Sequence, residues 1–260
     1  MNNKYTTQSL KVQFKNSHGF MLDGRLDLPA DIEPTAYAIM CHCFTCTKET
    51  LTTSRVCRGL AQQGMAVLRF DFTGLGGSQG EFADSNFSSM VDDVLSASHY
   101  LKEHYHSPVA LIGHSMGGTA VLAASPEIES CHSVITIASP AQPQHILHHF
   151  GSAMKQLEAG EDAHITVADV RYPVKPQFIA DVKQYNLKHK LGSFYKRLLS
   201  IRAGKDELVA ENNAEEIIRY TSAEHKLLHL DDADHLFRNR EASNTMVNEI
   251  ADWVIQPNEL

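Results

Sequence analysis

The segment PVALIGHSMGGTAVLAAS, residues 108–125, places an apolar run, a turn and a helix-like stretch in immediate succession. Val109 to Ile112 are apolar without alternation, as on a strand covered on both faces. Gly113, Ser115 and Gly117 then form G-x-S-x-G, followed by small and apolar residues with helical character. A reversal this abrupt requires positions without side chains on both sides of the serine. A buried strand running through a sharp turn into a helix is the repeating unit of a mostly parallel sheet flanked by helices.

The rest of the chain keeps that rhythm. KVQFKNSHGFMLDGRLDLP reads as two alternating runs joined by a turn around Asn16 to Gly19, an antiparallel hairpin. Ala36 to Cys43 and Met65 to Phe72 are largely apolar runs with a helix-like stretch between them that ends on Gly64. A further helix is expected after Asn86, with Phe87, Met90, Val91, Val94, Leu101 and Tyr105 on one face. Strands are expected at Ser133–Ser139, Tyr195–Gly204 and His225–Leu230, and a last helix carries Met246, Ile250 and Trp253. The 260 residues suit one α/β domain, residues 1–260. Residues 141–193 interrupt the alternation, since a few residues and one helix would suffice there. Within that insert Ile146, Leu147, Phe150, Met154 and Leu157 suggest a helix, HITVADVRYPV a short hairpin and QFIADVKQYNL a second helix.

Bulk properties narrow the function classes. At 43% hydrophobic and 21% charged residues the composition is that of an ordinary globular protein, not of a disordered, collagen-like or coiled-coil chain. A formal charge of −8, with no basic run interleaved with aromatics, argues against nucleic acid as a partner, and the same charge opposes an anionic membrane. No apolar stretch approaches the ~18 residues of a spanning helix, and the polar start MNNKYTTQSL lacks the apolar core of a signal peptide, so a cytoplasmic protein is expected. Five cysteines without a secretory signal are expected to be reduced thiols.

Ser115, flanked by glycines after a buried strand, is a candidate nucleophile, and it needs a base and an acid to orient that base. In sites of this strand–turn–helix type these follow in the order Ser, acid, His, at the ends of later strands. His225 and His229 lie within an expected strand, whereas His235 in HLDDADHLF lies just beyond it. Asp206 in SIRAGKDELV follows the strand before that, with Glu207 beside it as the alternative. An acyl-transfer site also needs two amides aimed at the oxyanion. One comes from the residue after the nucleophile, Met116, and the other from the loop after an early strand, where Phe44 of HCFTC is the natural donor.

Cys41, His42, Cys43 and Cys46 could be read as a metal site, but no second ligand pair at zinc spacing exists, so none is assigned. Cys43 and Cys46 form C-x-x-C at a strand-to-helix junction, a possible redox pair. Its oxidation is expected to distort the Phe44 donor between the two thiols. DFTGLGGSQG, residues 71–80, lacks the spacing and the lysine of a phosphate loop and reads as a tight connection.

With HCFTCTKE, VLRFDFTGLGGSQG, NFSSMVDDV, LIGHSMGGTAVL, GKDELV and DADHLF in order, the chain resembles the α/β-hydrolase superfamily over nearly its whole length. The resemblance is to the esterase and serine-aminopeptidase-like branch, particularly hydrolase domains often fused to an OsmC-type domain, whose loop also reads His-Cys-Phe-Thr-Cys. The fused partner is not expected here, because the chain ends soon after the last helix. The wider family usually has His-Gly-Phe where this chain has His42-Cys43-Phe44. The resemblance implies a mostly parallel eight-stranded sheet, residues 141–193 as a small cap, and no cofactor. It also implies hydrolysis of a small-molecule carboxylic ester through an acyl-enzyme on Ser115, His235 and Asp206. A thioesterase or aminopeptidase with the same residues, and a thiol-redox protein built on Cys43 and Cys46, are the alternatives.

Overall fold

The expected alternation is realised, in a computed structural model, as one eight-stranded sheet with helices on both faces; residues 5–192 and 194–255 are described. The chain opens with β1 (Thr7–Lys15) and β2 (Met21–Pro29), the expected hairpin, whose turn is closed by Asn16 Oδ1 accepting the amides of His18 and Phe20. Then follow β3 (Ala36–Cys41), α1 (Leu51–Gln62), β4 (Met65–Phe70), α2 (Phe87–His104), β5 (Ala110–His114), α3 (Met116–Ala124) and β6 (Ser133–Ile137). Asn86 starts α2 as expected: its side chain accepts the Ser89 amide while the Ser89 hydroxyl accepts the Asn86 amide.

The insert holds a 3₁₀ turn (Pro143–His149), α4 (Ala153–Glu158), the hairpin β7 (Ala163–Val167) and β8 (Val170–Val174), α5 (Pro176–Gln184) and α6 (Leu187–Leu191). Its expected first helix is in fact broken. The chain turns at Phe150–Ser152, with Gly151 at a φ of 51°, so Ile146 and Leu157 fall on two short segments. Ser193, the last residue of the expected insert, lies outside the described residues. The chain ends with β9 (Arg197–Lys205), α7 (Asn212–Ile218), β10 (His225–Asp234) and α8 (Arg240–Ile255).

The strand order is β1-β2-β4-β3-β5-β6-β9-β10, parallel from β4 to β10. Strands β3 to β6 are buried along nearly their whole length, which is why they lack alternation. One face is covered by α2, α3 and the insert, the other by α1 and α8. Several strand ends differ from expectation: β4 stops at Phe70 and β6 at Ile137, each two residues early, and β9 runs from Arg197 to Lys205. β3 stops at Cys41, leaving His42 and Cys43 to the loop, and β10 continues past Leu230 through an irregularity to Asp234. Among the described residues no helix is long and apolar enough to cross a membrane.

The loop from β3 to α1 is anchored by charge within the sheet. Arg69, fully buried on β4, donates from Nε to Asp27 Oδ2 at 2.6 Å, and from Nη1 to the Lys48 carbonyl at 2.6 Å and Glu49 Oε2 at 2.9 Å. Lys48 in turn reaches Asp71 Oδ2 at 2.5 Å and Asp23 Oδ2 at 2.6 Å. Burial disfavours the Lys48 charge, yet the bonds to Asp23 and Asp71 prevail and raise its pKa. The glycine-rich 71–80 segment is the tight connection expected: Asp71 Oδ2 accepts the Gly77 amide and Ser78 Oγ donates to the Asp71 carbonyl. Asp27→Ala removes the buried carboxylate partner of Arg69, leaving it the half-exposed Glu49, and should cost about 3 kcal/mol in urea unfolding. Asp27→Leu with Arg69→Met should cost clearly less; equal losses would show that the pair itself is not what matters.

Candidate active site

The turn after β5 is strained as the glycine spacing demands. Ser115 has φ 54° and ψ −128°, an uncommon conformation for a residue with a side chain. Its amide is bonded to the Ile137 carbonyl at 2.8 Å and its carbonyl accepts the Gly118 amide at 2.9 Å. A methyl group at Gly113 would overlap the backbone of Gly117 and Gly118, and one at Gly117 would overlap the carbonyls of Cys41 and His42. The close approach of β5, α3 and the end of β3 therefore depends on these two positions, and it brings the serine beside the HCFTC loop.

Two other candidates meet at the ends of β9 and β10. His235 Nδ1 lies 2.8 Å from Asp206 Oδ2, with both side chains almost wholly buried, at 10% and 4% exposure. Asp206 Oδ1 accepts the amides of Leu208 and Val209 at 2.8 and 3.0 Å, which fixes the carboxylate toward the imidazole. Burial would raise the Asp206 pKa, but the hydrogen bond and charge of His235 and the two amides outweigh it, so it lies below the usual carboxylate range. Glu207 is exposed, which leaves Asp206 as the partner of His235. His225 and His229 are strand residues, as expected.

The His235 segment is tied to the serine turn by His114, whose role the motif alone did not suggest. His114 Nε2 donates to the His235 carbonyl at 2.7 Å from the position immediately before Ser115. The same segment is held from α1, where Thr52 Oγ1 donates to the Leu236 carbonyl at 2.6 Å. Among the described residues no hydrogen bond ends on Ser115 Oγ.

The amides of Phe44 and Met116 have no acceptor among the described residues. Met116 opens α3, so its amide is one of those a helix leaves unpaired. His42 orients the other: Nδ1 donates to the Cys43 carbonyl at 2.7 Å and Nε2 accepts the Phe72 amide at 3.2 Å. The Phe44 ring enters an aromatic cluster with Phe82, Phe150 and Phe178, at centroid distances of 5.4, 6.3 and 5.4 Å. Tyr172 of β8 donates to the Thr45 carbonyl at 3.2 Å, linking the insert to the same loop across 127 residues; nothing local in the sequence signals that contact.

The expectation of five reduced thiols is corrected. Cys41, Cys57 and Cys131 are free and buried, but Cys43 and Cys46 are joined as a disulfide. The tight turn, closed by the Cys46 amide on the Cys43 carbonyl at 3.1 Å, brings the two Cα atoms to 5.2 Å, within disulfide range. The bridge coexists with an unengaged Phe44 amide, so oxidation does not by itself remove that donor. No group of three or more His, Cys, Asp or Glu side chains among the described residues is arranged to hold a metal ion.

Residues 33–168 match the family described as serine aminopeptidase, S33. The chain belongs to this family of α/β-hydrolases. It is 34% identical to the esterase domain of a Rhodothermus marinus protein, with a TM-score of 0.75 over 95% of this chain and 97% of that one. It shares 20% identity and a TM-score of 0.78 with Est1E from Butyrivibrio proteoclasticus, solved with ferulic acid bound, over 94% of this chain and 99% of that one. It shares 19% identity and a TM-score of 0.77 with mouse alpha/beta hydrolase domain-containing protein 10, over 94% and 98% of the two chains. The last two likenesses establish the fold alone. No curated protein matched in sequence. The chain is thus a hydrolase of the α/β-hydrolase fold.

Two buried imidazoles in this hydrolase give its stability a pH dependence. Burial pushes His42 down to about 4, against the raising effects of the Cys43 carbonyl and Asp71, and burial together with the His235 charge pushes His114 down to about 3. Both resist protonation when folded, whereas an unfolded histidine titrates near 6.5, so their contribution is complete above about pH 6.5 and lost as pH falls below it. Asp93, which burial raises to about 6 although Thr73 and Asn16 bond to it, acts in the opposite direction by taking up its proton while folded. From pH 7.5 to 5 each imidazole should lose about 2 kcal/mol and Asp93 return about 1, so urea unfolding should show a net loss of roughly 3 kcal/mol. Equal stability at the two pH values would contradict the neutral buried imidazoles.

Proposed function

We propose that this hydrolase cleaves small-molecule carboxylic esters of modest acyl size through an acyl-enzyme on Ser115. Ser115 Oγ attacks the carbonyl carbon as His235 Nε2 takes the hydroxyl proton, and the imidazole returns it to the leaving alkoxide. Asp206 holds His235 through Nδ1 and stabilises the imidazolium. The amides of Phe44 and Met116 receive the tetrahedral oxyanion at the start of α3, where the helix dipole favours negative charge. Water activated by His235 then releases the acid and frees the serine.

One observation carries the reading. A nearly dry His235–Asp206 pair at 2.8 Å stands on a segment whose backbone is bonded to the residue preceding a strained, glycine-flanked serine. The aromatic cluster behind Phe44 supports a short apolar acyl group, because four packed rings limit the depth available there. The esterase domain from Rhodothermus marinus supports ester over peptide or thioester chemistry.

A fluorophosphonate probe with peptide mapping should label Ser115, and a panel of p-nitrophenyl esters, acyl-thioesters and aminoacyl anilides should show fastest turnover with short-chain esters. Ser115→Ala should abolish labelling and reduce kcat about 10⁴-fold or more. Asp206→Asn should reduce kcat about 10³–10⁴-fold with KM little changed. Turnover of anilides above esters, or full activity in Ser115→Ala, would refute the assignment.

A further inference from the structure

The bridged C-x-x-C is the one chemically reactive feature of the site region that ester hydrolysis does not use. We infer that Cys43–Cys46 is a thiol–disulfide exchange site, taking dithiol reductants as partners, and that its bridged form holds the Phe44 amide in place for the oxyanion. The coupling rests on the ester-hydrolase reading above; the exchange does not.

Four observations converge on it. The bridge encloses Phe44 and Thr45, so the proposed oxyanion donor is a member of the ring that exchange would open. Cys46 is partly exposed whereas Cys43 is buried, which makes Cys46 the more accessible half of the bridge for an incoming thiolate. The other three cysteines are buried away from solvent, and burial pushes each of their thiols up, so exchange has no competing site among the described residues. Thr45, inside the ring, accepts the Tyr172 hydroxyl, so a change in the ring also reaches the insert.

The step balances without a further reactant. A thiolate of the dithiol attacks Cys46 Sγ, the S–S bond breaks, and Cys43 leaves as a thiolate that takes up a proton. The second thiol then attacks the mixed disulfide and releases Cys46. The protein gains two electrons and two protons and the dithiol becomes a disulfide. In the opened ring the turn keeps the Cys46 amide bond to the Cys43 carbonyl, the bond from His42 and the bond from Tyr172 to the Thr45 carbonyl, but none of these ends on Phe44, so its amide gains freedom that the covalent link denies it.

The test uses the full protein, treated with dithiothreitol or with oxidised glutathione, desalted, and checked for gain or loss of two hydrogens by intact mass. The bridged form should hydrolyse p-nitrophenyl acetate with a kcat about 3- to 30-fold above the reduced form at similar KM, a fraction of what full loss of an oxyanion donor costs. Cys43→Ser with Cys46→Ser should match the reduced form and ignore dithiothreitol. Equal kcat in two forms of confirmed mass, a faster reduced form, or no bridge under oxidant would each overturn the inference. Fluorophosphonate labelling of Ser115 in both forms separates the two readings: absent labelling and turnover in both would refute the ester reading and the coupling, while mass still reports the exchange.

Discussion

The close contact between the end of β5 and the start of α3 is the constraint from which the rest of the site is built. With hydrogen alone at Gly113 and Gly117, the chain reverses within a few residues, and the carbonyls of Cys41 and His42 come against the backbone of α3. Any larger residue would part these elements and separate the serine from the loop that carries Phe44. The strain at Ser115 is sustained because its amide and carbonyl are both bonded, to β6 on one side and to α3 on the other.

Around that contact, three loops that border the site are tied down by largely buried polar groups. Arg69 and Lys48 secure the segment after β3, Asp71 closes the segment after β4, and His114 with Thr52 secures the segment after β10. Loops are ordinarily the mobile parts of an α/β fold. Here paired charges and neutral imidazoles hold them by specific bonds, at the cost of burying groups that water would solvate well.

The insert adds a second layer of constraint. Its hairpin touches the HCFTC loop through Tyr172, and its helices contribute Phe178, beside Phe150, to the rings that surround Phe44. The same short loop thus lies against the start of α3 and the insert and carries a disulfide within itself. A change in any one of them has a direct physical route to the others.

Local sequence determined the elements themselves. Apolar runs without alternation became the buried parallel strands, Asn86 started its helix, the N-S-H-G turn closed its hairpin, and G-x-S-x-G marked the sharp turn, because each depends on contacts within a few residues. It also placed Asp206 and His235 just past their strands, since each follows directly in the chain on an apolar run that the sequence shows. Three-dimensional packing alone decided what spans the chain, the bond from His114 to the His235 backbone and the Tyr172 anchor, whereas the break at Gly151 and the bridge between Cys43 and Cys46 are local features that apolar periodicity does not report. Periodicity reports which face a residue presents, but it carries no record of the distance to a partner more than a hundred positions away, and that distance is what makes a site.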